Sequence, residues 1–158
     1  MVIECARNVL GWADADSTEF APESGHPVVS LLEDQVDVKS YGGTQRLGRS
    51  ESVLKEGSLI RKAYGTTSVQ ERHRHRYEVS NAYRADLEKS GLHIAALTPD
   101  GSLVECVEWE NHPWGLGVQF HPEFKSKPFA PAPLFRDFIR ACLEKQGAAK
   151  SAPGNAKK

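Results

Sequence analysis

An apolar run that stops abruptly at His-Pro-Glu is the strongest constraint in this chain. Leu116 to Phe120 reads as a buried strand, and His121, Pro122 and Glu123 follow at once. Side chains two apart on an extended segment point to the same side. Pro122 fixes its own φ and has no N–H to give a ladder, so the strand ends there. His121 and Glu123 are therefore expected together at the carboxyl end of a strand, the carboxylate orienting the imidazole. That is the base-and-orienter half of a nucleophilic triad. A metal site or a solvated surface pair would use the same residue types, and the pattern alone does not separate the three.

Composition narrows the classes. A chain of 158 residues suits one domain. A net charge of −1 argues against a surface built for nucleic acid or an anionic membrane. No apolar run approaches the ~18 residues of a membrane span. Glu4 and Arg7 interrupt the N-terminal stretch, so it lacks the apolar centre of a signal peptide. Cys5, Cys106 and Cys142 are odd in number and widely spaced. They offer neither a disulfide framework nor a Cys-x-x-Cys zinc site, and a reducing cytoplasm is the expected setting.

Periodicity predicts a mixed α/β chain. Val2, Ile3, Ala6, Val9 and Leu10 recur at helical spacing over residues 1–11, with Gly11 as a C-cap. Residues 12–50 are rich in Asp, Ser, Gly and Pro and read as a long loop-like region of the kind that carries function. A short strand is expected around Val53 and a short helix from Ser58 to Tyr64. Val69 to Val79 alternates as an extended segment, and Asn81 to Ser90 reads as a helix with Tyr83 and Leu87 inward. Leu92–Leu97 and Leu103–Trp109 flank a Pro99-Asp100-Gly101 hairpin turn. Leu134, Phe135, Phe138, Ile139 and Leu143 form one apolar face of a final helix. From Gly147 the composition is that of a disordered tail.

Three segments carry candidate binding chemistry. On a strand, Arg72, Arg74 and Arg76 face one way, and His73 and His75 the other. Guanidinium groups recognise carboxylate or phosphate in bidentate fashion. An exposed basic strand and a two-histidine metal site are the competing readings. Glu19, in Ser17-Thr18-Glu19-Phe20, is followed by Pro22 and Gly25, which disfavours a capping-box helix and leaves its carboxylate in a loop, able to bind an amino group. Gly42-Gly43-Thr44 offers a tight turn or a phosphate cradle, and the turn is the better supported of the two.

Taken together, these segments resemble the class I glutamine amidotransferases, and within them the glutaminase domain of the CTP synthase family. The resemblance rests on Ala6-Arg7-Asn8-Val9, Ser17-Thr18-Glu19-Phe20, Gly42-Gly43-Thr44-Gln45-Arg46-Leu47-Gly48, Glu71-Arg72-His73-Arg74-His75-Arg76-Tyr77-Glu78 and Val118-Gln119-Phe120-His121-Pro122-Glu123. The closing Pro133-Leu134-Phe135-Arg136-Asp137-Phe138-Ile139 also fits. It implies a flavodoxin-like sheet with flanking helices over residues 1–146, followed by a tail over 147–158. It implies His121 and Glu123 as triad members, Glu19 gripping the glutamine ammonium, and Arg76 engaging the substrate carboxylate with Tyr77 in the same segment. Thr44 and Arg46 correspond to an allosteric lid that responds to GTP. The implied partners are glutamine and an N-terminal synthetase domain that uses ATP and Mg to aminate UTP, in a cytoplasmic homotetramer. No cofactor or metal is implied for this chain itself, and neither nucleic acid nor membrane is an expected partner.

One departure from the family pattern bears on activity. The family's nucleophilic cysteine stands in a Gly-x-Cys-x-Gly elbow leading into the helix that matches residues 1–11, and by that alignment it falls before Met1. Cys5 lies inside the helix, and neither Cys106 nor Cys142 is flanked by glycines. The expectation is an incomplete glutaminase domain that lacks the early strands and the elbow. It is marginally stable and without turnover by itself. The alternative is a non-catalytic module that binds glutamine. A metal protein using His73, His75 and His121 is a third reading.

Overall fold

The computed structural model describes residues 1–31 and 46–151. The elements, in order, are α1 (Val2–Asn8), β1 (Asp16–Ser17), β2 (Pro27–Ser30), β3 (Arg46–Leu54), α2 (Leu59–Tyr64), β4 (Ser68–His75), β5 (Glu78–Val79), α3 (Arg84–Lys89), β6 (Leu92–Leu97), β7 (Val104–Trp109), β8 (Leu116–Val118) and α4 (Pro133–Ser151). The chain is α/β, as the periodicity predicts.

Two sheets share the strands. β1, β2 and β5 form a small sheet in which β1 and β2 are parallel. The larger sheet runs β4-β3-β6-β7-β8 and is antiparallel throughout. The segment from Val69 to Val79 is extended, as its alternation predicts, yet it serves both sheets. β4 ends at His75, and β5 begins at Glu78. The chain therefore changes sheets at Arg76–Tyr77.

Local chemistry accounts for the helices. Val2, Cys5 and Ala6 are the buried residues of α1, at the i, i+3, i+4 spacing of a single inward face. The helix is shorter than the 1–11 predicted, and Gly11 takes a left-handed φ of 76° beyond its end. In α2 the Ser58 hydroxyl accepts from the Arg61 N–H, and Gly65 closes the C-terminus at φ 70°. The Glu108 carboxylate of β7 accepts from the Leu59 and Ile60 N–H groups at 2.9 and 2.8 Å, so the sheet itself caps this helix. One cluster of core residues packs α1 and α3 between the two sheets around Val28, Leu87, Leu92 and Val104. A second packs α2 and the start of α4 around Leu54, Ile60, Phe120 and Leu134.

Three expectations change. Residues 12–50 are not one long loop: β1, β2 and the first five residues of β3 fall within them. The two short strands are missed because two to four residues are too few for an alternation to register. The final helix runs through Gly147 to Ser151, past the point where a tail is expected, and residues 152–158 lie outside the described set. Its apolar face is also not a core face. Leu134 is buried, but Phe135, Phe138, Ile139 and Leu143 are 42–61% exposed. The helix instead turns Asp137 inward, 2% exposed and paired with Arg136 and Arg140.

Candidate active site

The strand expected to run from Leu116 to Phe120 ends two residues short of that. β8 stops at Val118, Phe120 is buried in the core, and a single 3-10 turn over Pro122–Phe124 follows His121. The His121 backbone N–H donates to the Arg72 carbonyl at 2.9 Å, which fixes the turn against β4. His121 Nδ1 and Glu123 Oε1 are 2.6 Å apart. The Glu123 backbone N–H and the His121 hydrogen bond hold the Glu123 carboxyl below the usual carboxylate range. A carboxylate on Nδ1 directs the other ring nitrogen outward, as a general base requires. The pair lies at the surface, 40% and 52% exposed.

A cleft of about 580 Å³ opens where the chain changes sheets. Glu19, Arg74, His75, Arg76, Tyr77 and Gln119 line it. Glu19 reaches it from the turn after β1, whose Phe20 and Ala21 N–H groups donate to the Ser17 carbonyl at 3.0 and 2.9 Å. This is a turn and not a helix, as Pro22 and Gly25 predict. Glu19, Arg76 and Tyr77 are thus brought together on one cleft, with one anionic and two cationic side chains on its walls. His121 and Glu123 lie two and four residues beyond Gln119 and are not in its lining.

Below the cleft is a buried charged network that the sequence patterns did not single out. Glu105 and His73 are fully buried, and Glu78 is 1% exposed. Arg46 donates to Glu105 Oε1 at 2.6 Å, and Ser52 donates to Oε2 at 3.2 Å. His73 and His75 share a hydrogen bond of 2.9 Å. Gln119 Nε2 donates to Glu78 Oε2 at 3.2 Å. Glu78 Oε1 stands 3.3 Å from His75 Nδ1 and 3.6 Å from Arg46, close to both without hydrogen-bond geometry to either. Burial pushes Glu78 up to about 7, Arg46 opposing, and pushes His73 and His75 down to about 3 and 4. The available signal was Glu105, a charged residue inside the apolar run of β7. Strand alternation does the rest, with His73 inward and Arg72 and Arg74 outward.

Other predicted residues fall elsewhere. Thr44 lies outside the described residues. Arg46, which the resemblance assigns to a lid loop, opens β3 and is committed to Glu105 and Ser50. Among the described residues no three potential metal ligands converge. Cys5 is buried with its Sγ 2.9 Å from the Ser90 hydroxyl, Cys106 is buried and its thiol is pushed well up by that burial, and Cys142 is exposed on α4. None of the three lines the cleft. No helix among the described residues is long and apolar enough to cross a membrane.

Comparison with known proteins places these features in context. The family model for glutamine amidotransferase class-I matches residues 3–141. A CTP synthase of Aquifex aeolicus is 56% identical over 144 residues, 91% of this chain and 27% of that protein. A CTP synthase of Methanothermobacter thermautotrophicus is 52% identical over 145 residues, 92% of this chain and 27% of that protein. Among solved structures, the glutaminase domain of Trypanosoma brucei CTPS with bound acivicin superposes with a TM-score of 0.83 at 44% identity. That match covers 90% of this chain and 56% of the domain structure. The chain thus spans about 27% of the length of the curated relatives it matches.

Proposed function

Because the chain belongs to the class I glutamine amidotransferase family, sharing its fold with the glutaminase domain of CTP synthases, we propose that it binds glutamine and supplies the base and orienter for its hydrolysis. The observation that carries this is the 2.6 Å His121–Glu123 hydrogen bond just beyond β8, on a segment whose Gln119 lines a cleft with Glu19 and Arg76. Free glutamine presents an ammonium and a carboxylate. Glu19 takes the first and Arg76 the second, beside Tyr77, in charge-assisted bonds of ordinary amino-acid recognition.

In the chemistry, a thiolate attacks the side-chain amide carbon and forms a tetrahedral oxyanion. The C–N bond breaks, and His121, protonated on Nε2, gives its proton to the departing ammonia. Water then attacks the resulting thioester while His121 takes its proton, and glutamate and free thiol are released. Glu123 steadies the imidazolium in both halves. The placement of Cys5, Cys106 and Cys142 favours a thiol contributed from outside this chain, and we propose that the chain alone turns over no glutamine. By the same resemblance, ammonia passes to a synthetase domain that uses ATP and Mg to aminate UTP, in a cytoplasmic homotetramer activated by GTP. Arg46 already gives one N–H from each terminal nitrogen, to Glu105 and to Ser50, so a guanine nucleotide engaging it would use its remaining N–H groups or displace one of these partners.

Calorimetry with L-glutamine on the purified chain, paired with an assay for glutamate release, tests the reading. Binding without hydrolysis is expected, weakened about tenfold or more by Arg76→Lys or Glu19→Gln, since a bond to a charged group is worth about 1.5–3 kcal/mol. Glutamate release abolished by Cys5→Ser overturns the external thiol. Absence of glutamine binding overturns the clamp.

A further inference from the structure

We infer that the Asp14–His26 pair is the positioning element for Glu19, a clip that closes the base of the turn presenting this carboxylate to a substrate ammonium. The inference rests on the reading of the cleft as a glutamine clamp. The chain from Ser17 to His26 leaves β1, carries Glu19 at an exposed apex and returns into β2. At its base His26 Nδ1 lies 2.7 Å from Asp14 Oδ1. The hydrogen bond to His26 holds the Asp14 carboxyl below its usual range. The Ser24 hydroxyl donates to the Asp14 carbonyl at 2.8 Å, the His26 N–H donates to the Ser24 hydroxyl at 3.2 Å, and the Asp16 N–H donates to the His26 carbonyl at 3.2 Å. The other Asp14 oxygen stands so close to Gly25 that a Cβ there would overlap it. A larger residue at position 25 would force the Asp14 carboxylate out of its present place.

A second, independent contact fixes the imidazole. Trp12 stacks on the His26 ring, centroids 4.8 Å apart and planes 11° from parallel, and Tyr83 meets Trp12 edge-on at 5.4 Å. Trp12 is anchored in turn, its N–H donating to the Ala6 carbonyl of α1 at 2.9 Å. The base of the Glu19 turn is therefore locked to α1 and to the approach to α3. None of Asp14, Trp12, Gly25 or His26 lines the cleft, so the clip acts only through the turn it holds.

The test is calorimetry on the full chain with two ligands, L-glutamine and glutaramate, which is glutamine without its α-ammonium. His26→Ala is expected to weaken glutamine about tenfold and leave glutaramate unchanged. His26→Asn, which keeps a donor near the Nδ1 position, should restore most of the loss. Gly25→Ala should reproduce the selective loss by pushing the carboxylate aside. The double variant Glu19→Ala/His26→Ala should bind no worse than Glu19→Ala alone. Equal weakening of both ligands, or unchanged glutamine binding in His26→Ala beside a weakened Glu19→Ala, overturns the positioning role alone. Failure of the unaltered chain to bind glutamine removes the clamp reading and this inference with it.

Discussion

The Gln119 carboxamide donates to the Glu78 carboxylate across 3.2 Å, tying the strand that leads to His121 to the turn that carries Arg76 and Tyr77. The two segments are 41 residues apart in sequence. One part-buried bond thus links the proposed carboxylate clamp to the proposed base.

Removing that donor leaves a buried oxygen of Glu78 without its hydrogen bond. Gln119→Leu is expected to destabilise the fold by about 1–3 kcal/mol, and Glu78→Ala, which unbalances Arg46 and His75 as well, by about 3–5 kcal/mol. Urea unfolding followed by circular dichroism measures both. Losses below a few tenths of a kcal/mol in either variant would show that the network contributes little.

Stability should depend on pH through the same network. His73 and His75 are held down to about 3 and 4 by burial, below the unfolded value of 6.5. Their contribution is complete above about pH 6.5 and is lost as pH falls through those lower values. Glu78, held up to about 7 by burial against an unfolded 4.5, contributes in the opposite sense, fully below about pH 4.5 and not above 7. Glu105 is raised by burial too, Arg46 opposing, and acts in the same sense as Glu78. Between about pH 4.5 and 6.5 the two histidines are therefore opposed by both glutamates. The double variant His73→Gln/His75→Gln removes the histidine side, so its stability should fall with rising pH relative to that of the unaltered chain, by up to roughly 2.7 kcal/mol per pH unit. Urea midpoints of both proteins across this range check the sign, and parallel profiles contradict it.

His121 and Glu123 should separate by degree in an enzyme that joins this chain to its proposed thiol. His121→Ala is expected to lower kcat by about 100-fold or more with little change in KM, the usual scale for a general acid–base group. Glu123→Gln leaves the histidine in place but weakens its orientation, and a smaller loss of about 10- to 100-fold is expected. Steady-state kinetics on both variants decide this. A kcat unaffected by His121→Ala excludes it as the base.

The exposed face of α4 predicts self-association. Phe135, Phe138, Ile139 and Leu143 present adjoining apolar surface to solvent. Phe138→Ser with Ile139→Ser should keep the purified chain monodisperse at concentrations where the unaltered chain aggregates, as read by light scattering. Identical behaviour of the two proteins removes the explanation.

The sequence was most informative where one strong local cause operates. Pro122 opens the tight turn after β8 whatever surrounds it, so the His121–Glu123 pair was legible in advance, although the strand itself stops earlier, at Val118. The two sides of β4 followed from the pleat, which set His73 opposite Arg72, while only the structure shows that the His73 side is the inner one. The partners of Glu105 and Glu78 were not legible, since Arg46 and Gln119 reach them only through sheet pairing and the crossing at Arg76–Tyr77. The solvent-facing apolar side of α4 was misjudged for a related reason. Periodicity identifies an apolar face but not what, if anything, lies against it. Asp14 and His26 escaped notice because neither sits in a recognisable pattern, and their contact depends on Gly25 and Trp12 together.

The change of sheets at Arg76–Tyr77 has a mechanical consequence. Glu19 stands on the small sheet, whose outer strands β1 and β5 are two residues each, whereas the other side of the cleft belongs to the five-stranded sheet. A ladder that short protects few amides, so the small sheet can open while the large one stays intact. An amino acid held at its ammonium by one sheet and at its carboxylate by the other would act as a staple between them. Occupancy of the cleft would then be felt as stiffness, with slower amide exchange over residues 16–30 and little change in β6 and β7.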